Sequence, residues 1–346
     1  MTALVAGGGL AGAAVASLLA RAGREVTVIE RSRGPTHKIC GEFLSHEVQH
    51  YLARLGLDVT RLGGHRITRL RLVIGAGGVT VKLPFEGIGL TRHTLDEALL
   101  AHAGACGATI RRGETVSSAD GVTFLATGKH ALRGALRPMP RPDPLVGLKM
   151  YYALSPEQTE ALAETVELVL FPGGYAGLLR VEGGRANLCL LIHRDRLADG
   201  VDPLSQLCAT VPHLHRRLAG SAALLPRPLA IARVPYGFIH TPHPEDACYR
   251  LGDQACVIPS FSGDGMALAL HSAALAAAHY LRGDPPPLYH AALARDVTGP
   301  IRRAQWLTRL AGAPFGPALL RHAAGLWPGL LRRAAALTRV PTEALL

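Results

Sequence analysis

The sequence predicts an α/β protein, α+β overall, in which a doubly wound parallel sheet carries an inserted antiparallel sheet and is followed by C-terminal helices. Three observations predict it. The first thirty residues read strand, glycine turn, small-residue helix, strand. Further on, strand-like segments at 146–154, 165–171, 175–181 and 187–192 follow one another with no predicted helix between them, the habit of antiparallel sheets. Residues 249–258 then read as a strand feeding a long alanine-rich helix at 265–281, which returns the chain to its first unit.

Taken in order, residues 3–6 form the first strand, 7–9 the glycine turn, 10–22 the helix and 25–30 the second strand. A helix is expected at 45–55, then strands at 67–74 and 79–83 joined by the turn formers Gly75, Gly77 and Gly78. Leu95, Ala98, Leu99 and His102 recur at helical spacing in 91–103, and 108–111 is a short strand. Asp120-Gly121 reads as a hairpin turn, the proline-rich stretch 137–144 as a linker and Gly183-Gly184 as a tight hairpin. The expected division is a discontinuous nucleotide-binding unit (1–64, 86–144 and 228–299), a substrate sheet (65–85 and 145–227) and basic amphipathic C-terminal helices (300–346).

With 346 residues, 48% hydrophobic and 18% charged, the chain can bury a large core. Six scattered cysteines without CxxC spacing, and no basic-then-apolar leader, predict reduced thiols and a cytoplasmic protein. Every apolar run is interrupted before the ~20 residues that a membrane crossing needs. A net charge of +11 would suit an anionic partner, but aromatics are only 5% and no nucleic-acid-reading motif is present, so no nucleic-acid partner is expected. Arg302, Arg303, Arg309, Arg321, Arg332, Arg333 and Arg339 concentrate charge near the C-terminus, opposite apolar faces that include Leu307, Leu310, Leu319, Leu320, Leu326, Trp327, Leu330 and Leu331. Two readings follow: these leucines pack on the main body, or the helices make a peripheral contact with an anionic membrane.

Gly7, Gly9 and Gly12 match GxGxxG between strand and helix, where glycines allow a tight turn, close approach of a pyrophosphate and close helix packing. The helix start then offers unpaired N–H groups and partial positive charge to phosphate. Glu30 closes the second strand, where a carboxylate accepts from ribose hydroxyls, and Arg31 follows it. NAD and FAD both fit this Rossmann-like turn.

The downstream segment discriminates between them. Residues 249–256 form a strand ending in Gly252-Asp253, followed by Pro259-Ser260-Phe261-Ser262-Gly263-Asp264-Gly265-Met266 and the alanine-rich helix. An acid there can accept from ribityl hydroxyls, and a glycine-rich helix start can face the pyrimidine edge of a reduced flavin. At these residues the sequence resembles the aromatic-ring hydroxylases of the para-hydroxybenzoate hydroxylase type and, within that group, the geranylgeranyl reductase family. Cys40-Gly41-Glu42 and Arg92 at a helix start extend the resemblance, which covers the chain from residue 1 to about 278. It implies an FAD-dependent oxidoreductase in which Gly7, Gly9, Gly12, Glu30 and Arg31 hold the ADP half, Arg92 and Asp253 the linker, and Pro259, Gly263, Asp264, Gly265 and Met266 the ring. It also makes NAD(P)H a candidate reductant.

Two departures bear on the reaction. Thr127 stands where the hydroxylases carry the Asp of an Asp-Gly motif, which puts the nicotinamide donor in question. Pro172 and Tyr175 keep part of the reductase substrate motif, whereas Gly177 replaces its Trp. Because a flavin supplies the electron chemistry, few catalytic side chains are needed, and Cys40, Glu42 and Tyr175 are the candidates. Lys129 and His130 follow a strand end that should approach the cofactor. No HExxH or zinc-spaced Cys/His set occurs and the GxSxG elbow is absent, so neither a metal nor hydrolase chemistry is expected. The expected activity is reduction of a C=C bond in a hydrophobic isoprenoid or polyene. Hydroxylation of an aromatic or polyketide substrate is the alternative, and a non-catalytic flavin-binding partner protein is a third reading.

Overall fold

A computed structural model describes residues 2–137 and 145–313 and, beyond them, positions 316, 319, 320, 322, 329, 337–341, 344 and 345. The linker at 138–144 and tail residues Arg321, Leu326, Trp327, Leu330, Leu331, Arg332 and Arg333 lie outside the described residues.

Strands β1 (Ala3–Ala6) and β2 (Val26–Glu30) flank helix α1 (Leu10–Arg21). Next come β3 (Phe43–Leu44), α2 (His46–Arg54), the long hairpin of β4 (His65–Ile74) and β5 (Gly77–Gly89), α3 (Arg92–Ala105), β6 (Thr109–Arg112) and β7 (Phe124–Leu125). Beyond the linker run β8 (Leu145–Ala153), α4 (Pro156–Leu162), β9 (Thr165–Phe171), β10 (Gly174–Arg180) and β11 (Ala186–His193). The chain closes with α5 (Pro203–Thr210), α6 (Pro212–Leu218), β12 (Ala222–Ala223), β13 (Leu229–Ala232), β14 (Tyr249–Arg250), α7 (Gly265–Arg282) and α8 (Pro286–Gly312).

The first sheet has the order β14-β7-β1-β2-β6, all parallel. Helix α1 approaches it and α7 closely because Ala13, Ala14 and Ala16 are fully buried on a face without bulk. Leu19, Leu44, Leu52, Leu95 and Leu99 fill the same core, each worth about 1.5–3 kcal/mol when removed from water.

The second sheet runs β12-β8-β11-β10-β9-β4-β5-β3, with β13 also on β8. Its pairings are antiparallel, as expected, except that β4 and β9 pair in parallel, with Arg69 opposite Thr165 and Ile74 opposite Leu170. The expected run of strands is also interrupted by α4, which lies between β8 and β9. Its start is written locally, because the Ser155 side chain accepts from Gln158 N–H and Pro156 occupies the first turn.

Three further differences concern boundaries and turns. Helix α8 runs through position 300, where a division was drawn, and the absence of a Cβ at Gly299 relieves part of the clash that Pro300 imposes on its predecessor. Asp120-Gly121 does form a turn, closed by Val122 N–H to Ala119 O at 3.1 Å, but Ser118 bridges to Arg133, so the turn does not join a paired hairpin. The segment 249–258 is strand only at Tyr249–Arg250. No helix among the described residues is long and apolar enough to cross a membrane.

Candidate active site

A cavity of about 390 Å³ lies where the two sheets meet. Its lining places Gly9 and Arg92 together with Asp253, although some 240 positions separate Gly9 from Asp253 in sequence. Cys40, Glu42, Tyr175, Gly263, Gly265 and Met266 also line it. The second sheet contributes an apolar wall of Leu70, Leu72, Val166, Leu168, Leu179 and Leu190, and Ala304 and Leu307 of α8 face the same space. Gly7, Gly12, Glu30, Arg31, Pro259 and Asp264 are not among the lining residues.

At the nucleotide end the backbone demands glycine. Gly7 has φ +105° and backs directly onto Ala126, while a Cβ at Gly12 would overlap the carbonyl of Gly7. No side chain caps the start of α1 and its first turn holds no acid, so its N–H groups are left for another anion. Glu30 accepts from Gly8 N–H at 2.8 Å and Ser32 N–H at 2.9 Å. Burial opposes its ionisation, but these donors outweigh it and lower its pKa, leaving a carboxylate with lone pairs to spare for ribose. Arg92 is paired with Asp96 at 2.5 Å, and its Nη2 lies 3.7 Å from the Cβ position of Gly9. Arg31 contacts His130 at 2.7 Å. Buried Arg137 bonds the carbonyls of Asp253 and Lys129, each at 2.6 Å, and so ties the two strand-end loops together. An uncapped helix, a poised carboxylate and a glycine cradle fit a dinucleotide such as FAD.

Beside this end, Cys40-Gly41-Glu42 is fastened to the second sheet. Glu42 is fully buried, with φ 59°, and forms an ion pair with Lys149 Nζ at 2.6 Å, itself fully buried. Tyr151 OH donates to both Glu42 oxygens at 2.7 and 2.9 Å, and Arg92 N–H donates at 2.8 Å. Lys149 also bonds Lys38 O, and Asn187 Nδ2 bonds the carbonyls of Cys40 and Gly41. Burial raises the Glu42 pKa although Lys149 opposes it. The structure therefore presents Glu42 as a clamp on the Cys40 loop rather than as a free acid. Lys149, Tyr151 and Asn187 escaped sequence reading because they sit singly on strands whose register alone turns them to one side. Cys40 is half-buried, and its sulfur accepts from Glu42 N–H at 3.4 Å.

Tyr175 leans its ring edge on Phe261 and its hydroxyl bonds Ser260, joining the second sheet to the loop before α7. Burial pushes its phenol well above the ordinary value, so it stays protonated near neutral pH. Thr127 Oγ1 is occupied with His130 O at 2.6 Å.

His240, Asp246 and His290 form a cluster that sequence spacing did not show. It does not suit a metal as it stands. His290 Nε2 accepts Arg250 N–H at 3.1 Å, so its proton lies on Nδ1, which faces Asp246 at 3.0 Å and would have to be stripped to ligate.

This geometry fits an FAD-binding protein, and comparison with known proteins bears on the class. Residues 2–83 match the family described as Pyridine nucleotide-disulphide oxidoreductase. The flavin-dependent brominase Bmp2 superposes with TM-score 0.78 at 14% identity, covering 100% of this chain and 96% of its own. PqsL, a probable FAD-dependent monooxygenase from Pseudomonas aeruginosa, superposes with TM-score 0.71 at 20% identity, covering 93% and 99%. Menaquinone reductase of Mycolicibacterium smegmatis (strain ATCC 700084 / mc(2)155) is 31% identical over 123 residues, which span 33% of this chain and 29% of that protein's length. The chain has the fold of flavin-dependent halogenases and monooxygenases, and the findings support an FAD-dependent enzyme of the oxidoreductase class.

Proposed function

We propose that the chain is an FAD-dependent reductase of a hydrophobic, isoprenoid-bearing substrate. The observation that carries this reading is the continuity of one cavity from the glycine turn, past Cys40 and Tyr175, to the leucine and valine wall of the second sheet. FAD would be held by Gly7, Gly9, Gly12, Glu30, Arg31, Arg92 and Asp253, with Gly263, Gly265 and Met266 toward the ring, and supplies the two-electron chemistry. The apolar wall excludes water and aligns an extended apolar chain. The Lys149–Glu42 clamp fixes the Cys40 loop, and Tyr175 Oη holds a proton at the cavity surface. The similarity of one third of the chain to a protein named for menaquinone reduction supports the reductase direction.

Hydroxylation of an aromatic substrate is the second reading, favoured by the fold shared with PqsL. Anaerobic and aerobic turnover with labelled oxygen separates the two. Substrate reduction without label supports the proposal, and substrate-coupled incorporation of label overturns it. Thr127, already bonded to His130, lacks the carboxylate of an Asp-Gly motif, so the electron donor is tested separately, by whether NADH or NADPH bleaches the flavin.

A further inference from the structure

The segment 337–341, far from every motif above, delivers an arginine to this cavity. Arg339 is 9% exposed and lines the cavity with Thr338. Its Nη1 lies 2.7 Å from Glu47 Oε2 and 3.3 Å from Asp264 Oδ1, and its guanidinium carbon is 4.3 Å from the centre of the Phe85 ring. Glu47 belongs to the first turn of α2 and Asp264 precedes α7, so the arginine bridges the starts of two helices. Val340 packs into the main core, which places this stretch of the basic tail on the body of the protein.

Both ion pairs use Nη1, and the buried Nε has no hydrogen-bond partner. Ser45, whose side chain meets those of Glu47 and Asp264, completes the same cluster. A guanidinium presents five N–H donors in a plane, and a buried donor left unmade is costly. A buried donor left unpaired beside a cavity is what an acceptor on a ligand completes.

We propose that Arg339 is a ligand-binding residue of the cavity, whose guanidinium receives a carbonyl oxygen of the occupant. Two occupants offer that chemistry: the pyrimidine carbonyl of the flavin ring, which rests on the flavin reading above, and a carbonyl of a quinone substrate. Glu47 and Asp264 hold the guanidinium plane in place, and Phe85 covers one face of it.

The test uses the full chain, freed of bound nucleotide, with R339K, R339M and the R339M/D264N pair, each checked for a cooperative thermal transition. The pair guards against misfolding, because R339M alone leaves two buried carboxylates facing each other. FAD affinity is read by fluorescence quenching, and menadione affinity by perturbation of the flavin spectrum in reconstituted protein. Loss of a hydrogen bond from a charged donor weakens the relevant ligand by about 10- to 100-fold. A weakening confined to FAD assigns the flavin carbonyl, and one confined to menadione assigns the substrate carbonyl. Unchanged affinity for both in the folded variants overturns the proposal and leaves Arg339 a structural bridge. Failure of the wild-type chain to take up FAD instead strikes the flavin reading, and the menadione arm then runs on the apoprotein by tryptophan quenching.

Discussion

Replacing Lys149 by Met removes one partner of a pair in which both side chains are fully buried. Breaking such a pair costs about 3–5 kcal/mol, chiefly because the remaining charge is left uncompensated. Glu42 keeps the Tyr151 hydroxyl and Arg92 N–H, which argues for the lower half of that range. With an unfolding entropy near 2 cal/mol/K per residue, the loss lowers Tm by roughly 4–6 °C. The sign with pH follows from burial. The Glu42 pKa is already raised in the fold and rises further without Lys149, so its contribution is fully present below the unfolded carboxylate pKa and is lost as pH rises through the folded value. K149M is therefore least stable in neutral to alkaline buffer and recovers toward acid. Adding E42Q removes the stranded charge and restores part of the loss. Thermal melts of wild type, both single variants and the double variant across pH 5–9 measure all of this. A K149M melt equal to wild type at pH 8, or a deficit independent of pH, would refute the account of a buried charge clamp.

Gly12→Ala places a methyl group against the Gly7 carbonyl, so FAD uptake is expected to fall below detection while the second sheet keeps its secondary structure by circular dichroism. Burial lowers the His290 pKa to about 4, so its contribution is present above the unfolded histidine value and lost as pH falls toward 4, by on the order of 3 kcal/mol. A melt series from pH 7 to 4 should show that acid loss, flattened in H290N; equal slopes would remove the cluster from the explanation. Tyr175→Phe deletes the bond to Ser260 and the cavity phenol, and kcat should drop about 100-fold at unchanged FAD affinity if that hydroxyl passes a proton. An unaltered kcat would make Tyr175 a packing residue.

Legibility differed with the range of the forces involved. The turn at Gly7–Gly12 and the start of α7 at Gly265 were readable because backbone constraints there act within a few residues. Helix α4 escapes sequence reading although Ser155-Pro156 announces it, since strand-like residues on either side mask a short helix. Arg339 counted in the sequence only as one charge in a basic tail, yet it lies buried between Glu47 and Asp264. Nothing local foretells that: a long-range ion pair depends on where two distant helix starts come to rest.

Sequence pattern alone determined the α/β class and the glycine turn at Gly7–Gly12, because glycine sterics and helix-end electrostatics are properties of a short stretch of chain. Tertiary structure decided the rest: that Lys149, Tyr151 and Asn187 clamp the Cys40 loop, that α8 closes the cavity, and which way Arg339 points. Those depend on strand register and on the burial of charge, and both exist only once separate segments have packed.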